Sequence, residues 1–595
     1  MRLSFKIIVL ILLASASAIS LSLRRRNMPA NQIKQRLVDQ ADSLLSSVKL
    51  LQVTPAHLVN RETLQKRFRK IRLMYKRLEW ATEYFDPLTG RKVNGPPIPE
   101  TEFDGSVIKP DGLQIIEPLL FPDFAPGKKQ ELKGLLDRLA LNTMEFRSYF
   151  QQADLQDWQI LDAVKLEVFR VEALGLNQFD DPLSGNCFAE SAAALESLQY
   201  VMTNYTTDGD RLLAICFQKT IQDLMKAADF NKFDRAAFLT QDANPLTRAL
   251  TDIRKRIVTP DVQYNRLMNQ NAATLFDRYA FNSNAFTAAP GDSMTGQKIA
   301  LGRKLFFETR LSGTMTRSCA SCHQPDKAFT DGLEKNTTIT GKKKVARNTP
   351  TLINAALQPT QFYDSHAKSL EELVADVIRN RDEMHGNLRF TVRSLWQDVI
   401  YRDLFSSAFP VRGRHTIDTL EIMNALASYL RSITALNSRF DAYMQGTSTS
   451  LTAAEINGFN LFMGKARCST CHYLPLFNGT LPPKYIQMDA EVIGVPKTGT
   501  GRFIDPDPGI FAIVPERFNR YKFKIPTLRN AGNTSPYMHN GVFRSLENVI
   551  DFYNKGGGAG SGIKISNQTL AADKLHLTVK EKKELVAFIK SLNSK

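Results

Sequence analysis

Cys319-Ala-Ser-Cys322-His323 and Cys468-Ser-Thr-Cys471-His472 are two copies of C-x-x-C-H, and they use four of the six cysteines and two of the eight histidines. Two thiols one helical turn apart can form thioethers to the two vinyl groups of one porphyrin. The histidine that follows then reaches the iron as proximal ligand. Each copy therefore points to one covalently bound c-type haem. Two competing chemistries use similar residues. Paired C-x-x-C knuckles can hold a zinc ion, and a C-x-x-C can exchange disulfides, although a thioredoxin-like motif wants a strand before it. Export of the chain, argued below, favours haem, because attachment takes place outside the cytoplasm.

The elements that must position these motifs are helices. LTAAEINGFNLFMGKARCSTCH begins with Thr452 and Glu455 in capping-box spacing, followed by Ile456, Phe459 and Met463 at helical intervals. The C-terminal LTVKEKKELVAFIKSLNSK repeats the device with Thr578 and Glu581, and Leu585, Phe588, Ile589 and Leu592 form one apolar face. The first motif has a similar entry, MTGQKIALGRKLFF, and a later helix, TLEIMNALASYLRSITAL. Pro350-Thr351-Leu352-Ile353-Asn354-Ala355 after the first motif is echoed by Pro526-Thr527-Leu528-Arg529-Asn530-Ala531 after the second. Two related haem domains follow from that echo.

The 595 residues suffice for three or more domains, and 43% hydrophobic with 23% charged residues is a globular composition. Residues 1–20 read as a signal peptide: Arg2 and Lys6, an apolar core Ile7 to Leu13, and small residues Ala14 to Ala18. The apolar run is shorter than the ~20 residues of a membrane span. Arg24 to Arg26 oppose an anchor with its N-terminus inside. The expectation is a periplasmic protein with no transmembrane span after signal removal. A formal charge of +17 admits nucleic acid, an anionic membrane or an acidic protein as partner, and export argues against nucleic acid.

These segments resemble the bacterial di-haem cytochrome c peroxidase family, which includes the MauG-type enzymes. The likeness covers about residues 290–595. It runs in order through LGRKLFFETRLSG, SCASCHQPDKAFTDG, ARNTPTLINAA, QFYDSHAKSLEEL, EMHG, NSRFDAYMQG, CSTCH, FKIPTLRNAGNTSPYMHNGVF and LENVIDFYNKGG. The resemblance implies a peroxide-site haem on His323 and an electron-transfer haem on His472. It places the family's catalytic acid at Glu383, where a carboxylate can move a proton from the near to the far oxygen of peroxide. Further implications are a calcium ion at Asn348, Thr534 and Pro536, hydrogen peroxide as substrate, a small electron donor of cytochrome c or cupredoxin type, and a homodimer as one assembly found in the family.

The chain departs from the family pattern at several positions. Thr340 stands where many peroxidases carry a histidine that caps the peroxide haem, so the His323 haem is expected to be open at rest. Tyr363 replaces the electron-bearing tryptophan between the haems, and Leu373 a pocket glutamine. Tyr553 stands where many members have a methionine ligand to the second haem, as in MauG-type proteins; Met538 is the rival. Phenolate favours ferric iron and thioether does the opposite. Of the remaining histidines, His539 is expected to make a haem-pocket hydrogen bond, with His366 and His385 near the motifs and His57, His415 and His576 as packing or surface residues.

Residues 27–285 fall outside this likeness and read as a helical bundle, including LQKRFRKIRLMYKRLEWATEYF with a basic face over residues 64–78. That face could dock an acidic donor or a membrane surface, or simply be solvated. DGLQIIEPLLF resembles the G-x-H-x-x-E segment of imelysin-like proteins, with Gln114 in place of the histidine, which speaks against metal binding. Cys187 and Cys216 can pair in an oxidising compartment or stay as thiols. The expectation is an all-α protein with a helical domain over 27–285, a first cytochrome-c-like domain over 290–445 and a second over 446–595. Its expected function is peroxide reduction by an exported oxidoreductase. A MauG-type oxidase of a protein or organic substrate is the alternative, and a non-catalytic electron carrier is a third reading.

Overall fold

The structure, a computed structural model, describes residues 29–594 except 54–59, 102–106, 125, 263–264, 411–415, 448 and 450. The expected signal segment, His57 and His415 lie outside the described residues. Helices dominate, as expected for an all-α chain. The strands named among the described residues form two short antiparallel pairs, Glu100–Thr101 with Val107–Ile108 and Ala490–Glu491 with Phe523–Lys524. No helix among the described residues is long and apolar enough to cross a membrane.

The chain divides into two compact units. The first runs to Val171 and takes in Gln178–Ala228 and Pro245–Val262; the second comprises Glu172–Asn177, Asp229–Asn244 and Gln263–Lys595. Compactness thus does not break at the boundary expected near residue 285. Two short pieces of the expected N-terminal domain pack with the second motif instead. Asn177 Nδ2 donates to the Ser469 carbonyl at 3.1 Å, and Arg235 Nε donates to the Leu176 carbonyl at 2.9 Å. Asn460 Oδ1 accepts from the Arg235 amide at 2.9 Å. Such long-range side-chain ties leave no periodic trace in sequence.

In the first unit the helix Arg61–Phe85 starts at Asn60, whose Oδ1 accepts from the Thr63 amide at 2.9 Å. Leu64, Phe68, Ile71, Tyr75 and Leu78 line its buried face at helical spacing. The expected basic face is interrupted, because Arg72 and Lys76 point inward. Arg72 holds Glu190 through two bonds of 2.6 and 2.8 Å, and Lys76 Nζ reaches Glu79 at 2.8 Å and Asp180 at 2.5 Å. Buried charges persist only when paired in this way. Gln114 joins the network, its Nε2 donating to the Asn94 carbonyl at 3.3 Å. Among the described residues no cluster of three or more His, Cys, Asp or Glu side chains is disposed to hold a metal ion. Cys187 and Cys216 are not joined by a disulfide.

The second unit contains two helix crossings of the same design. Gly302 in helix Gly296–Phe306 lies where an added Cβ would fall 1.9 Å from the Ala425 carbonyl oxygen of helix Thr419–Ser432. Gly458 in helix Ala453–Met463 would place one 2.1 Å from the Glu584 carbonyl oxygen of helix Val579–Ser591. Four residues after each glycine a phenylalanine packs edge-on against the facing helix. The Phe306–Tyr429 and Phe462–Phe588 ring centroids are both 5.2 Å apart. The capping boxes expected at Thr452 with Glu455 and at Thr578 with Glu581 both form.

Candidate active site

Both cysteine motifs fold as a 3-10 turn, Cys319–Ser321 and Cys468–Thr470, tighter than a full helical turn. The amide of each motif histidine closes back on the carbonyl of the first cysteine at 2.9 Å. His323 Nδ1 lies 3.0 Å from the Phe329 carbonyl. His472 Nδ1 lies 3.1 Å from the Pro526 carbonyl and 3.3 Å from that of Phe477. A ring nitrogen facing a carbonyl must carry the proton and donate it, so Nε2 keeps its lone pair for iron. Burial lowers the pKa of His323 and brings that of His472 down to about 4, so both rings are neutral ligands at physiological pH. Two thiols and one available Nε2 at each motif fit a c-type haem.

The turns behind these carbonyls are the sequence echo in three dimensions. Thr351 Oγ1 donates to the Ala328 carbonyl at 2.7 Å, and Thr527 Oγ1 to the Leu476 carbonyl at 3.0 Å. Asn354 and Asn530 both have φ of 63°, in the left-handed region that asparagine tolerates better than most residues. Their amides bond to the Ile433 and Leu592 carbonyls, each just past the helix that closes its half.

Around the first motif, Glu383 is half-buried and its Oε1 accepts from Asn380 Nδ2 at 3.0 Å. Its charge is felt at Cys322, so the carboxyl belongs to the surroundings of that motif. Burial raises its pKa, against the lowering pull of Arg317. Arg317, next to the motif, was not singled out by sequence reasoning. It donates to the Glu383 carbonyl at 3.3 Å and to the Thr337 carbonyl at 3.1 Å, tying the Glu383 loop to the Thr340 loop. That second loop is held further by the Ile339 amide bonding to the Asp382 carbonyl at 2.9 Å. Leu373 packs on the core of the same half.

Around the second motif, Tyr553 on helix Leu546–Asn554 has its phenol within electrostatic reach of Cys471 and Cys468; burial, first of all, raises its pKa. Glu491 is a further residue that sequence reasoning did not find. Burial pushes its pKa up to about 7, and its charge is felt at Cys471. It sits in DAEVIG, a string with no diagnostic spacing. Tyr473 beside it donates to Asp489 Oδ2 at 2.6 Å.

Between the halves, the Tyr363 carbonyl accepts from the Lys524 amide at 2.7 Å, and its hydroxyl faces Asn348 Oδ1 at a long 3.5 Å. Arg347 bridges Asp364 at 2.6 Å and Asp507 at 2.7 Å. Asn348 uses its amide nitrogen on the Leu333 carbonyl at 2.9 Å, which turns its oxygen the other way. Thr534 and Pro536 follow the short turn Ala531–Asn533. His539 Nε2 lies 3.3 Å from Asp505 Oδ1, and its ring stacks on Phe523 at 3.8 Å. His366 likewise pairs with Asp364 at 2.5 Å and stacks on Phe362 at 4.1 Å.

Residues 296–449 match the family model described as di-haem cytochrome c peroxidase. The cytochrome-c peroxidase IdrP2 of Denitromonas iodatirespirans is 31% identical over 311 residues, covering 50% of this chain and 81% of that protein. The methylamine utilization protein MauG of Methylorubrum extorquens is 33% identical over 305 residues, covering 51% of this chain and 79% of the relative. The cytochrome c551 peroxidase of Pseudomonas aeruginosa is 30% identical over 293 residues, covering 49% and 80%. Among solved structures, a MauG-like protein associated with microbial copper homeostasis aligns with a TM-score of 0.45 and 30% identity, covering 52% of this chain and 92% of that one.

Proposed function

This chain belongs to the di-haem cytochrome c peroxidase family, and from that premise we propose that it is a periplasmic enzyme that reduces hydrogen peroxide at the His323 centre. Electrons enter at the His472 centre from a small cytochrome c or cupredoxin-type protein. One observation carries the reading: Glu383 lies beside the first motif with no histidine in the adjoining Thr340 loop. The two haems supply the redox iron. The chain's own residues do the rest. His323 and His472, fixed through Nδ1, offer Nε2. Glu383 accepts the proton of the near peroxide oxygen and returns it to the leaving oxygen. With two electrons and two protons, one peroxide gives two waters. Arg317 holds the Glu383 loop against the Thr340 loop. Tyr363 lies on the route between the centres. Asn348 Oδ1, with the Thr534 and Pro536 carbonyls, is the donor set for a calcium ion.

The test is absorption and EPR spectroscopy of the ferric holoprotein before and after one equivalent of peroxide, followed by turnover with a reduced cytochrome. A high-spin signal beside a low-spin one, prompt reaction and donor oxidation are expected. Two low-spin haems that stay inert to peroxide until half-reduced would overturn the open His323 centre. A second reading is favoured by Tyr553, whose phenol reaches the second motif: a MauG-type oxidase that draws electrons from an organic or protein substrate. Prompt reaction with peroxide but no oxidation of any cytochrome or cupredoxin would favour it.

A further inference from the structure

Lys524 is a charged group with no role in the scheme above. Its side chain crosses from the strand Phe523–Lys524 of the second half to the loop before Tyr363. Nζ donates to Gln358 Oε1 at 2.8 Å and to the Thr360 carbonyl at 3.1 Å. Both are neutral oxygens, and among the described residues no carboxylate lies within ion-pair distance of it. The carboxylate whose charge it does feel, Asp364, is already bonded to Arg347 at 2.6 Å and to His366 at 2.5 Å. The backbone ties Lys524 both to Tyr363 and to the second motif histidine. Its amide donates to the Tyr363 carbonyl at 2.7 Å, and two residues later the Pro526 carbonyl accepts from His472 Nδ1 at 3.1 Å.

We propose that Lys524 is an electrostatic control element of electron transfer between the two centres, its proton being taken up when the His472 centre is reduced and released to solvent when it is oxidised. A part-buried ammonium bonded only to neutral oxygens is costly, and added negative charge nearby lowers that cost. An electron arriving at the His472 centre is such a charge. Conversely, loss of the ammonium leaves the centre more negative in its surroundings and drives the electron on towards Tyr363. Burial pulls the lysine down to about 7, so its charge changes within the physiological range. The other charged groups facing this region are Arg347, Asp364 and His366 on the first half, and Asp489, Glu491 and Lys522 on and beside the paired strand, with Asp507 bonded to Arg347. Glu491 also titrates near 7 and must be silenced in the test.

The experiment is a spectroelectrochemical titration of the His472 haem in the holoprotein between about pH 5.5 and 8.5, in a Glu491→Gln background. It needs no peroxide, and so rests on the proposed function only through the presence of that haem; failure of peroxide reduction would leave it readable. With Lys524 present, the potential should fall as pH rises through about 7. Lys524→Arg, charged throughout, should hold the low-pH potential across the range. Lys524→Met should hold the high-pH potential. Retention of the full pH dependence in Lys524→Arg, or a shift of both variants in the same direction, overturns the proposal. Haem content and Tm are read for each variant. If Lys524→Met does not fold, Lys524→Arg alone decides.

Discussion

The two halves of the haem region place their motif histidines by the same construction and diverge one residue later. In both, a glycine crossing brings two helices together, a phenylalanine four residues on meets an aromatic ring of the facing helix, and a threonine-led turn sits against the motif. The divergence comes at Ile353 and Arg529. Ile353 is an apolar filler. Arg529 is buried, bonded twice to Asp441 at 2.7 and 2.8 Å and to the Pro475 carbonyl. The second half therefore hangs its histidine turn on an ion pair where the first uses apolar packing. The surroundings diverge too. The first half presents Glu383 and a loop without histidine; the second presents Tyr553 and Glu491. The same scaffold thus carries a carboxyl group and a histidine-free loop at one motif, and a phenol with a second carboxyl group at the other.

Removing either histidine tests that division most severely. His323→Gly should abolish peroxide turnover and leave the His472 haem reducible by donor. His472→Gly should abolish donor-driven turnover while a single equivalent of peroxide is still consumed. Stopped-flow absorption distinguishes the two patterns, and identical behaviour would break the asymmetry. Next in size is Glu383→Gln, expected to lower kcat by about 100-fold or more with both haem potentials unchanged. Because burial raises the Glu383 pKa, the proposed role of its carboxylate as base predicts that wild-type activity rises with pH through that raised value. The variant should lose that limb.

Arg529→Ile copies the first half into the second and leaves Asp441 buried without its cation, a cost of about 3–5 kcal/mol in denaturant titration at neutral pH. Arg529 keeps the Asp441 pKa below the ordinary carboxylate range despite burial. Its stabilising contribution is therefore present above that range and lost as pH falls through the depressed value. The stability gap between wild type and Arg529→Ile should narrow on acidification. A gap that does not change with pH would show that the pair is not what supports the turn. Gly302→Ala and Gly458→Ala force a Cβ into facing backbone and should each cost about 1–3 kcal/mol, by similar amounts if the crossings are equivalent. Smallest is Thr452→Ala or Thr578→Ala, about 1 kcal/mol for a lost cap, read as a fall in Tm.

Much of the site was legible in the chain. C-x-x-C-H, the capping boxes and the repeated Pro-Thr-Leu turn are short-range patterns, and local geometry follows from local spacing. Arg317, Glu491 and Lys524 were not legible, because each acts on a residue distant in sequence. An Arg beside a motif, an acid in DAEVIG or a Lys in FKIPT has no periodicity to distinguish it from a surface charge. The inward turn of Arg72 and Lys76 was hidden for the same reason: a basic helical face looks solvated until Glu190 and Asp180 are brought to it.

By itself, then, the order of residues determined two haem-attachment sites, helices to frame them and the chemical types near each, since those depend on contacts within a few turns. Tertiary structure alone decided that the Pro526 carbonyl reaches the His472 imidazole, which half an ion pair supports, where the compact units part and which charges face Lys524. Those depend on residues tens to hundreds of positions apart. Electrostatic effects follow distance through space and burial, and neither is written along the chain.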